Sequence, residues 1–375
     1  MNYKLSIILP CYNIGKYIDK CITSILLQES INKKTTQSII NQSFEIIIID
    51  DRSTDNLPQL CRKWTQNENI TFIHYENSGV STARNRSIYH AKGEYIWFID
   101  PDDYITPNAL SIIFKQLEDN PDLLLFNFNI LFEKNNSTTT IKNFLTNSSE
   151  VKIINDKQLI RDYIPYIIGY SQDNINRMYK GMKIQTKDGF MHGAVWHYIF
   201  KREIINKENI WFSPHLKLNE DTMFTLQYLC YVNRMKALPY SLYNYMFRSS
   251  GSMHGILANA KNLFQSKIHL AEERERINSL YKTKHQVDLR RYYAGSLLLS
   301  ALELGIKLSK QWRNIKLFKQ YSNNQIVRKA INSITTQHAP LKFKIPIILL
   351  KKKQYNILYA IFFLLNKIGY QTKIH

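Results

Sequence analysis

The chain has 375 residues, 44% of them hydrophobic, and a formal net charge of +20. This length supports a sizeable core and two structural units, and the hydrophobic content, with 24 Tyr and 18 Phe, excludes wholesale disorder. The four cysteines have no metal-like spacing and do not indicate an oxidising compartment.

Strand and helix patterns alternate along the first hundred residues. Continuous apolar runs predict strands covered on both faces at residues 5–9, 44–51 and 95–99. Helical segments are predicted over residues 17–27, 57–64 and 77–91. A series of this kind predicts an α/β fold with a Rossmann-like, doubly wound and mostly parallel sheet.

Acidic residues follow the second and third of these strands. They are Asp50 and Asp51 at the end of the second strand, and Asp100, Asp102 and Asp103 after the third. Ligands bind beyond the carboxyl ends of strands in such sheets, and clustered carboxylates there indicate a hard divalent cation and a phosphorylated ligand. The alternative is a solvated acidic turn, because Asp-Pro and Asp-Asp are ordinary turn residues.

Four blocks in a fixed order resemble the nucleotide-sugar-binding half of inverting family 2 glycosyltransferases with the GT-A fold. They read PCYN at 10–13, IIIIDDRSTD at 46–55, NSGVSTARN at 77–85 and GEYIWFIDPDDYITP at 93–107. The resemblance covers about the first 115 residues, resumes at 196–204 and returns at Glu220 and Asp221. The chain departs from the family at Arg52 and Ser87, where glycine is usual, and in the longer link 29–43, interpreted as a surface insertion.

The resemblance implies a set of residues around the nucleotide. The set comprises Pro10, Tyr12, Asp50, Asp51, Arg84, Asn85, Asp100 and Arg248. Within it, Tyr12 would lie against the base and Asp51 would accept a hydrogen bond from uracil, with Asp50 as the alternative for that contact. Asp100 would contact ribose or metal-bound water.

A metal site is also implied by the resemblance. Asp102 would ligate Mn²⁺ or Mg²⁺, with Asp100 close by, and the cation would stabilise the charge that grows on a diphosphate leaving group. Residues 243–254 look like the closing loop of the family, in which Arg248 would meet the diphosphate and His254 would be a further metal ligand. An ordinary loop histidine is the alternative interpretation of His254.

Inversion at the anomeric carbon requires one base that deprotonates the acceptor hydroxyl. By resemblance Asp221 is this base, with Glu220 beside it; the alternative is that both acids favour a helix N-terminus. The implied activity is metal-dependent, inverting transfer of a hexose-type sugar to a glycan or lipid-linked acceptor in surface polysaccharide synthesis, with UDP as the favoured donor nucleotide. A non-catalytic nucleotide-sugar or membrane-binding protein of the same fold is the alternative. It stays open because Arg52 stands where the family usually has glycine.

Three regions are predicted along the chain. Residues 1–115 would form the nucleotide-sugar-binding half of a GT-A domain, 116–255 the acceptor-side half with the base, and 256–375 a helical, basic region. Helical patterns in that last region cover residues 258–281 and 289–310. The first strand begins near Leu5, which leaves no room for a signal peptide, so a cytoplasmic location is expected.

The end of the chain is strongly basic. Residues 304–375 contain fourteen Lys or Arg and no Asp or Glu. The apolar run 355–365 has 11 residues, against the ~20 that span a bilayer. We therefore expect peripheral contact with the anionic inner face of the plasma membrane, with packing of this run on the chain's own core as the alternative. Nucleic acid is not an expected partner, because apolar runs interrupt the charges and no binding motif is present.

Overall fold

The structure, a computed structural model, describes residues 3–28, 44–76, 78–133, 137–142, 144–146, 149–182, 191–248 and 259–368. The chain divides into two compact units. The sheet unit comprises Met1–Leu159, Ala194–Pro214 and Glu220–Ser249, and the helical unit comprises Ile160–Gly193, His215–Asn219 and Ser250–His375. The predicted insertion 29–43 and His254 lie outside the described residues, and the predicted boundaries near 115 and 255 stay predictions.

The described residues contain ten strands and fifteen α-helices. The strands are β1 Leu5–Cys11, β2 Phe44–Asp50, β3 Ile70–His74, β4 Tyr95–Phe98, β5 Tyr104–Ile105, β6 Leu123–Phe132, β7 Ser137–Ile141, β8 Lys152–Asn155, β9 Tyr198–Lys201 and β10 Arg234–Phe247. The helices are α1 Gly15–Leu26, α2 Leu57–Trp64, α3 Val80–His90, α4 Ala109–Leu117, α5 Asp156–Gln158, α6 Ile164–Ile167, α7 Gln172–Tyr179, α8 Arg202–Lys207, α9 Glu220–Leu229, α10 Ala260–His285, α11 Arg290–Leu308, α12 Ile315–Asn323, α13 Gln325–Ser333, α14 Leu341–Lys351 and α15 Tyr355–Lys367.

All ten strands belong to one mixed sheet. Its order is β3-β2-β1-β4-β9-β6-β10-β5, with β7 beside β6 and β8 beside β10. β1, β2, β3 and β4 are parallel, and β6 and β10 share their direction because β9 pairs antiparallel with both β4 and β6. The predicted fold is therefore confirmed as a mostly parallel sheet with helices, followed by a helical C-terminal region.

The sequence pattern explains the sheet interior and the position of a site. Every residue of β1 and β2 is buried, as their continuous apolar runs predict. β1 lies between β2 and β4, so the order of the strands along the sheet reverses there. Ligand sites in open α/β sheets form at this reversal, beyond the carboxyl ends of the strands. Tyr12, Asp51 and Asp100 all follow strands at this edge.

One expectation for the later part of the sheet unit was wrong. Residues 243–247 were assigned to a closing loop, but they form the end of β10. There Tyr243 and Asn244 pair with β5, while β10 runs beside β6 as far as Phe247. Backbone pairing on both sides outweighs the loop-like composition of this segment, so Arg248 follows the end of a fixed strand.

The helical unit packs its last helix closely on α11. The predicted helical patterns over 258–281 and 289–310 are confirmed as α10 and α11. A Cβ at Gly305 of α11 would come within 2.8 Å of the Phe362 ring, so glycine permits the close approach of α15. The Tyr359 hydroxyl donates to the Leu308 carbonyl oxygen at 2.7 Å. No helix among the described residues has both the length and the apolar content that a membrane span requires.

Candidate active site

Asp50 and Asp51 follow each other at the end of β2 but have different partners. The Asp50 side chain is fully buried and lies 2.8 Å from Nδ1 of His74 in β3. Asp51 is also buried, and its two carboxylate oxygens accept the backbone N–H groups of Ser78 at 2.9 Å and Gly79 at 2.7 Å. Asp51 thereby fixes the start of α3, where a negative charge is stabilised. Asp51, unlike Asp50, is therefore hydrogen-bonded to the start of the helix that carries Arg84.

The residues at the ends of β1 and β2 differ in exposure. Pro10 is buried within β1 opposite Ile49, whereas Tyr12 is half exposed beyond the strand end. Arg52 adopts a left-handed backbone with φ of 66°, and its guanidinium pairs with Glu76 at 3.0 Å on the surface. The left-handed conformation explains why glycine suits position 52. The Arg52 guanidinium is therefore paired with a carboxylate at the surface.

Replacing Arg52 by glycine is expected to stabilise the protein. Arg52→Gly relieves the left-handed strain and loses only an exposed ion pair, so the free energy of unfolding should rise by about 0.5–1 kcal/mol in urea denaturation. Arg62→Gly is the matched control, because Arg62 lies in α2 and glycine there should lower the same quantity by about 1 kcal/mol. Equal losses in both variants would contradict the strain argument.

The aspartate cluster after β4 contains one inward and two outward carboxylates. Asp103 is buried, accepts the hydroxyl of Tyr243 at 2.8 Å and the backbone N–H of Met246 at 2.7 Å, and so ties the cluster to β10. Burial, and then the charge of Asp102, raises the pKa of Asp103 well above its ordinary value. Asp100 and Asp102 are 30% and 41% exposed and are available to a ligand.

Arg248 contacts the outer end of this cluster. Its Nη1 donates to Oδ2 of Asp102 at 2.7 Å, and its Nη2 donates to the Asp102 backbone carbonyl oxygen, also at 2.7 Å. The guanidinium lies 4.2 Å from the ring centroid of Tyr17 in α1, a cation–π distance. Burial, and then the charge of Asp100, raises the pKa of Asp102, while Arg248 opposes the rise. The predicted diphosphate-binding arginine therefore stands beside the predicted metal ligand.

Arg84 joins the aspartate cluster to the predicted base. Its side chain is 4% exposed; Nη1 donates to Asp221 and lies 3.5 Å from Glu220, and Nη2 donates to Asp100 at 3.1 Å. Burial disfavours the arginine charge, but the charges of Asp221, Asp100 and Glu220 outweigh burial and raise the pKa of Arg84. One buried cation thus holds three carboxylates from two distant parts of the sequence.

The surroundings of Asp221 raise the pKa of its carboxyl group. It lies in the first turn of α9 and accepts the backbone N–H of Val195. Burial is the largest influence and raises the pKa of Asp221 to about 7, with Glu220 and Asp100 adding to the rise and Arg84 opposing it. A carboxylate with a pKa near neutrality can accept a proton from a hydroxyl in the transition state more effectively than an ordinary aspartate.

Asn85 is engaged by the protein backbone. Its side-chain amide nitrogen donates to the carbonyl oxygen of Phe212 at 2.8 Å, and its amide oxygen accepts the Phe212 N–H at 2.9 Å. The Phe212 ring lies 5.3 Å from the Arg84 guanidinium. These contacts favour a role for Asn85 in holding the wall beside Arg84, rather than at the nucleotide.

Three aromatic side chains at the site were not singled out from the sequence. They are Tyr17, Phe212 and Tyr243. Tyr243 and Tyr245 occupy alternate positions of a strand, and Trp196 stacks on both rings at centroid distances of 4.7 and 5.8 Å. The alternation of aromatic residues is the sequence pattern that could have indicated Tyr243. No local pattern indicated Tyr17 or Phe212.

The outward carboxylates suit a hard divalent cation only in part. Within the described ranges, no group of three or more His, Cys, Asp or Glu side chains forms a metal-binding cluster. Asp100 and Asp102 each use one carboxylate oxygen in an arginine contact, and their charges repel each other, as the raised pKa of Asp102 indicates. Mg²⁺ and similar ions commonly bind to one or two carboxylates and complete their coordination with substrate phosphates. Asp100 and Asp102 fit a cation that is bound by two carboxylates and completes its coordination with substrate phosphates.

The first part of the chain, which supplies Arg84, Asp100 and Asp102 to this site, matches a known family. Residues 6–179 match the family described as Glycosyl transferase family 2. This part of the chain is a family 2 glycosyltransferase domain. The uncharacterized glycosyltransferase EpsJ of Bacillus subtilis is 29% identical over 247 residues, which are 64% of this chain and 60% of EpsJ. The minor teichoic acid biosynthesis protein GgaB of the same organism is 25% identical over 71% of this chain and 26% of GgaB.

A solved structure supports the assignment at the level of the fold. S. aureus TarS 1-349, crystallised in complex with UDP-GlcNAc, superposes with a TM-score of 0.63 and 19% identity, over 99% of this chain and 93% of that chain. The likeness extends over residues of both the sheet unit and the helical unit and shows a shared fold.

Proposed function

We propose that this protein is an inverting glycosyltransferase. It moves a sugar from a nucleotide diphosphate sugar to a hydroxyl group of a glycan or lipid-linked acceptor in surface polysaccharide synthesis. The family 2 domain supports sugar transfer, and the similarity to the teichoic acid protein GgaB supports a surface polymer. Single displacement at the anomeric carbon needs one base on the acceptor side, and Asp221 has the burial and the pKa for it.

The observation that carries the proposal is the position of Arg84 between Asp100 and Asp221. Asp100 belongs to the carboxylates that suit a metal and a diphosphate, and Asp221 is the candidate base. Because the Arg84 guanidinium contacts both carboxylates, the donor side and the acceptor side of the reaction lie next to the same side chain. This proximity lets a sugar held by its diphosphate near Asp100 present its anomeric carbon to a hydroxyl near Asp221.

UDP is the donor nucleotide that we propose. TarS, which shares the fold, was crystallised with UDP-GlcNAc. Tyr12 is half exposed beyond β1 and offers a ring to a base, and Asp51 is the nearby carboxylate proposed to bind the uracil ring. Which sugar the donor carries depends on contacts beyond these residues.

Asp100 and Asp102 are the residues that would hold Mn²⁺ or Mg²⁺. When bound, the cation supplies positive charge that stabilises the departing diphosphate. Arg248, 2.7 Å from Asp102, adds a second positive charge at the same point and can exchange its carboxylate partner for a phosphate. Tyr17 and the backbone carbonyl of Asp102 hold the guanidinium in place for this exchange.

The working location that we propose is the inner face of the plasma membrane, with peripheral attachment. A lipid-linked acceptor would be presented there. The basic, acid-free segment after residue 304 supports this location.

The proposal is tested by titrating the full chain calorimetrically with UDP, GDP, ADP and CDP, with and without Mn²⁺. Tight binding of UDP that requires the cation supports a metal-dependent UDP-sugar enzyme. Absence of binding to every nucleotide overturns the enzyme assignment. Binding of UDP without any transfer or hydrolysis of UDP-sugars would instead favour a non-catalytic nucleotide-sugar-binding protein.

Asp102→Asn is expected to abolish the cation-dependent part of UDP binding. The amide removes one negative ligand of a hard cation and also the ion pair with Arg248. The measurement is the same titration, in which added Mn²⁺ should no longer increase affinity. Asp119→Asn is the control, because Asp119 pairs with Arg234 and Lys236 away from the aspartate cluster. Undiminished transfer by Asp102→Asn would refute the metal assignment.

A further inference from the structure

The last helix of the helical unit is apolar on two opposite faces. One face contains Tyr355, Leu358, Tyr359 and Phe362, all buried against the unit. The other carries Ile357 and Leu364, and Ile368 continues it directly after the helix end; these side chains are 52%, 63% and 75% exposed. The spacing of 7 and 4 residues places these three side chains on one line of the helix, at about 100° per residue. A helix that is apolar all round is normally buried or in contact with lipid.

The preceding helix α14 has the same arrangement. Ile347 and Leu350 are buried against the unit. Leu341 and Ile345 are exposed and lie four residues apart, on one face of the helix. Two consecutive helices therefore each leave a line of large aliphatic side chains uncovered. We call the set Leu341, Ile345, Ile357, Leu364 and Ile368 the apolar stripe.

An amphipathic aromatic side chain packs against α15 at the flank of its buried face. Trp312 is half exposed, and its ring packs edge-on against Phe363 and Tyr359 of α15 at a centroid distance of 5.6 Å in each case. Lys367 lies 5.5 Å from the same Phe363 ring. Tryptophan with neighbouring lysine is the combination found where protein meets the headgroup layer of a bilayer.

The segment of the chain that carries the stripe has charges of one sign. From residue 304 to residue 368 the chain contains thirteen Lys or Arg and no acidic residue. Lys352 and Lys353, both exposed, lie in the three-residue link between α14 and α15, the two helices that carry the stripe. Two copies of such a surface repel each other, whereas an anionic surface attracts it.

We propose that the apolar stripe and the lysines beside it form a docking surface for an anionic lipid bilayer. This inference rests on the proposed peripheral location and assigns it to named residues. The exposed aliphatic side chains enter the boundary between headgroups and acyl chains, and the lysines contact lipid phosphates. The opposite face of α15 holds the helix on the unit, so membrane contact and packing on the core use different faces of one helix.

The test uses the full chain and flotation with vesicles of phosphatidylcholine alone or mixed with phosphatidylglycerol. Wild type should float with the mixed vesicles and weakly with neutral ones. Ile357→Ser/Leu364→Ser should lower the partition coefficient by about tenfold or more on mixed vesicles. Lys352→Ser/Lys353→Ser should lower it by about tenfold on mixed vesicles and leave neutral vesicles unchanged.

Leu27→Ser/Ile153→Ser is the matched control. Leu27 and Ile153 are 68% and 59% exposed, close to the values of the stripe residues, but they lie in the sheet unit. This variant should float like wild type. Because all the replaced side chains are exposed, each variant should keep its fold, which circular dichroism and thermal unfolding verify.

Flotation tests the membrane inference, and UDP binding tests the proposed function independently of it. Undiminished flotation of Ile357→Ser/Leu364→Ser overturns the membrane inference, and so does failure of wild type to float. If light scattering without vesicles shows a dimer that the stripe variant loses, the surface is an interface between two copies. UDP binding by calorimetry should be equal in wild type and the stripe variant. If wild type binds UDP but does not float, only the membrane inference is overturned. If wild type floats but binds no nucleotide, only the proposed function is overturned.

Discussion

Asp221→Asn should lower the rate of sugar transfer by about 10²-fold or more and leave donor affinity within about threefold of wild type. Asparagine has nearly the same shape and can still accept hydrogen bonds from Arg84 and the backbone of Val195. The first turn of α9 therefore stays in place. What is lost is the carboxylate that accepts the proton from the acceptor hydroxyl.

The measurement combines initial transfer rates at saturating donor with UDP titration. Glu220→Gln is the control, since Glu220 shares the first turn of α9 but lies farther from Arg84, at 3.5 Å. We expect less than about a tenfold loss of rate in that variant. An equal loss of UDP affinity and rate in Asp221→Asn would mean that Asp221 has a structural function.

The same residue predicts how activity depends on pH. A base acts in its deprotonated form, and the pKa of Asp221 is raised to about 7, mainly by burial. The ratio kcat/KM for the acceptor, which reports the free enzyme, should therefore be constant above this pH and fall about tenfold per pH unit below it. A profile that stays flat down to pH 5 would be inconsistent with Asp221 as the base.

Arg84→Met should produce the largest loss of stability among the site variants. Arg84 is 4% exposed and pairs with Asp100, Glu220 and Asp221. Its removal leaves three partly buried carboxylates without their common cation, so the free energy of unfolding should fall by ~3 kcal/mol in guanidinium denaturation. The pKa of Asp221 should rise further, which moves the acid limb of kcat/KM to higher pH.

Two variants separate this electrostatic effect from a general loss of packing. Arg84→Lys keeps the charge and should restore part of the stability and most of the original pH profile. Arg202→Met removes an arginine of the same unit whose guanidinium donates to the backbone carbonyls of Lys92 and Gly93, and it should leave the pH profile unchanged. If Arg84→Met unfolded at the wild-type denaturant concentration, the ion cluster would contribute nothing to stability.

Much of the fold followed from local patterns in the sequence. β1, β2 and β4 are continuous apolar runs that are buried on both faces, so their hydrophobicity alone marked them. β3 was missed because it lies at the edge of the sheet, and only Ile70 of its five residues is buried. β10 was missed because its polar and aromatic residues resemble a loop, and its strand conformation depends on pairing with β5 and β6.

The candidate site was predicted as separate parts. Asp100 and Asp102 were chosen because they follow a predicted strand, and Asp221 was chosen by resemblance. The structure brings Asp100 and Asp221 to one arginine in the sheet unit. The contact between Arg84 and Asp221 joins positions 137 residues apart, so no spacing rule could indicate it. Asn85 was assigned with Arg84 because both belong to the block 77–85 that resembles the family, but adjacent helix residues point in different directions. One faces the carboxylates and the other faces the Phe212 backbone.

The place of β9 in the sheet has a consequence for how the chain folds during synthesis. β9 lies between β4 and β6, although it follows them by about a hundred and by about seventy residues in sequence. Until residue 201 has left the ribosome, β4 and Leu123–Leu125 of β6 have no neighbour on that side, whereas β7 pairs with Phe128–Phe132. Open strand edges invite pairing with other chains, and late long-range pairings slow folding. Nascent chains that end between residues 132 and 198 should therefore be the most prone to aggregate or to recruit chaperones.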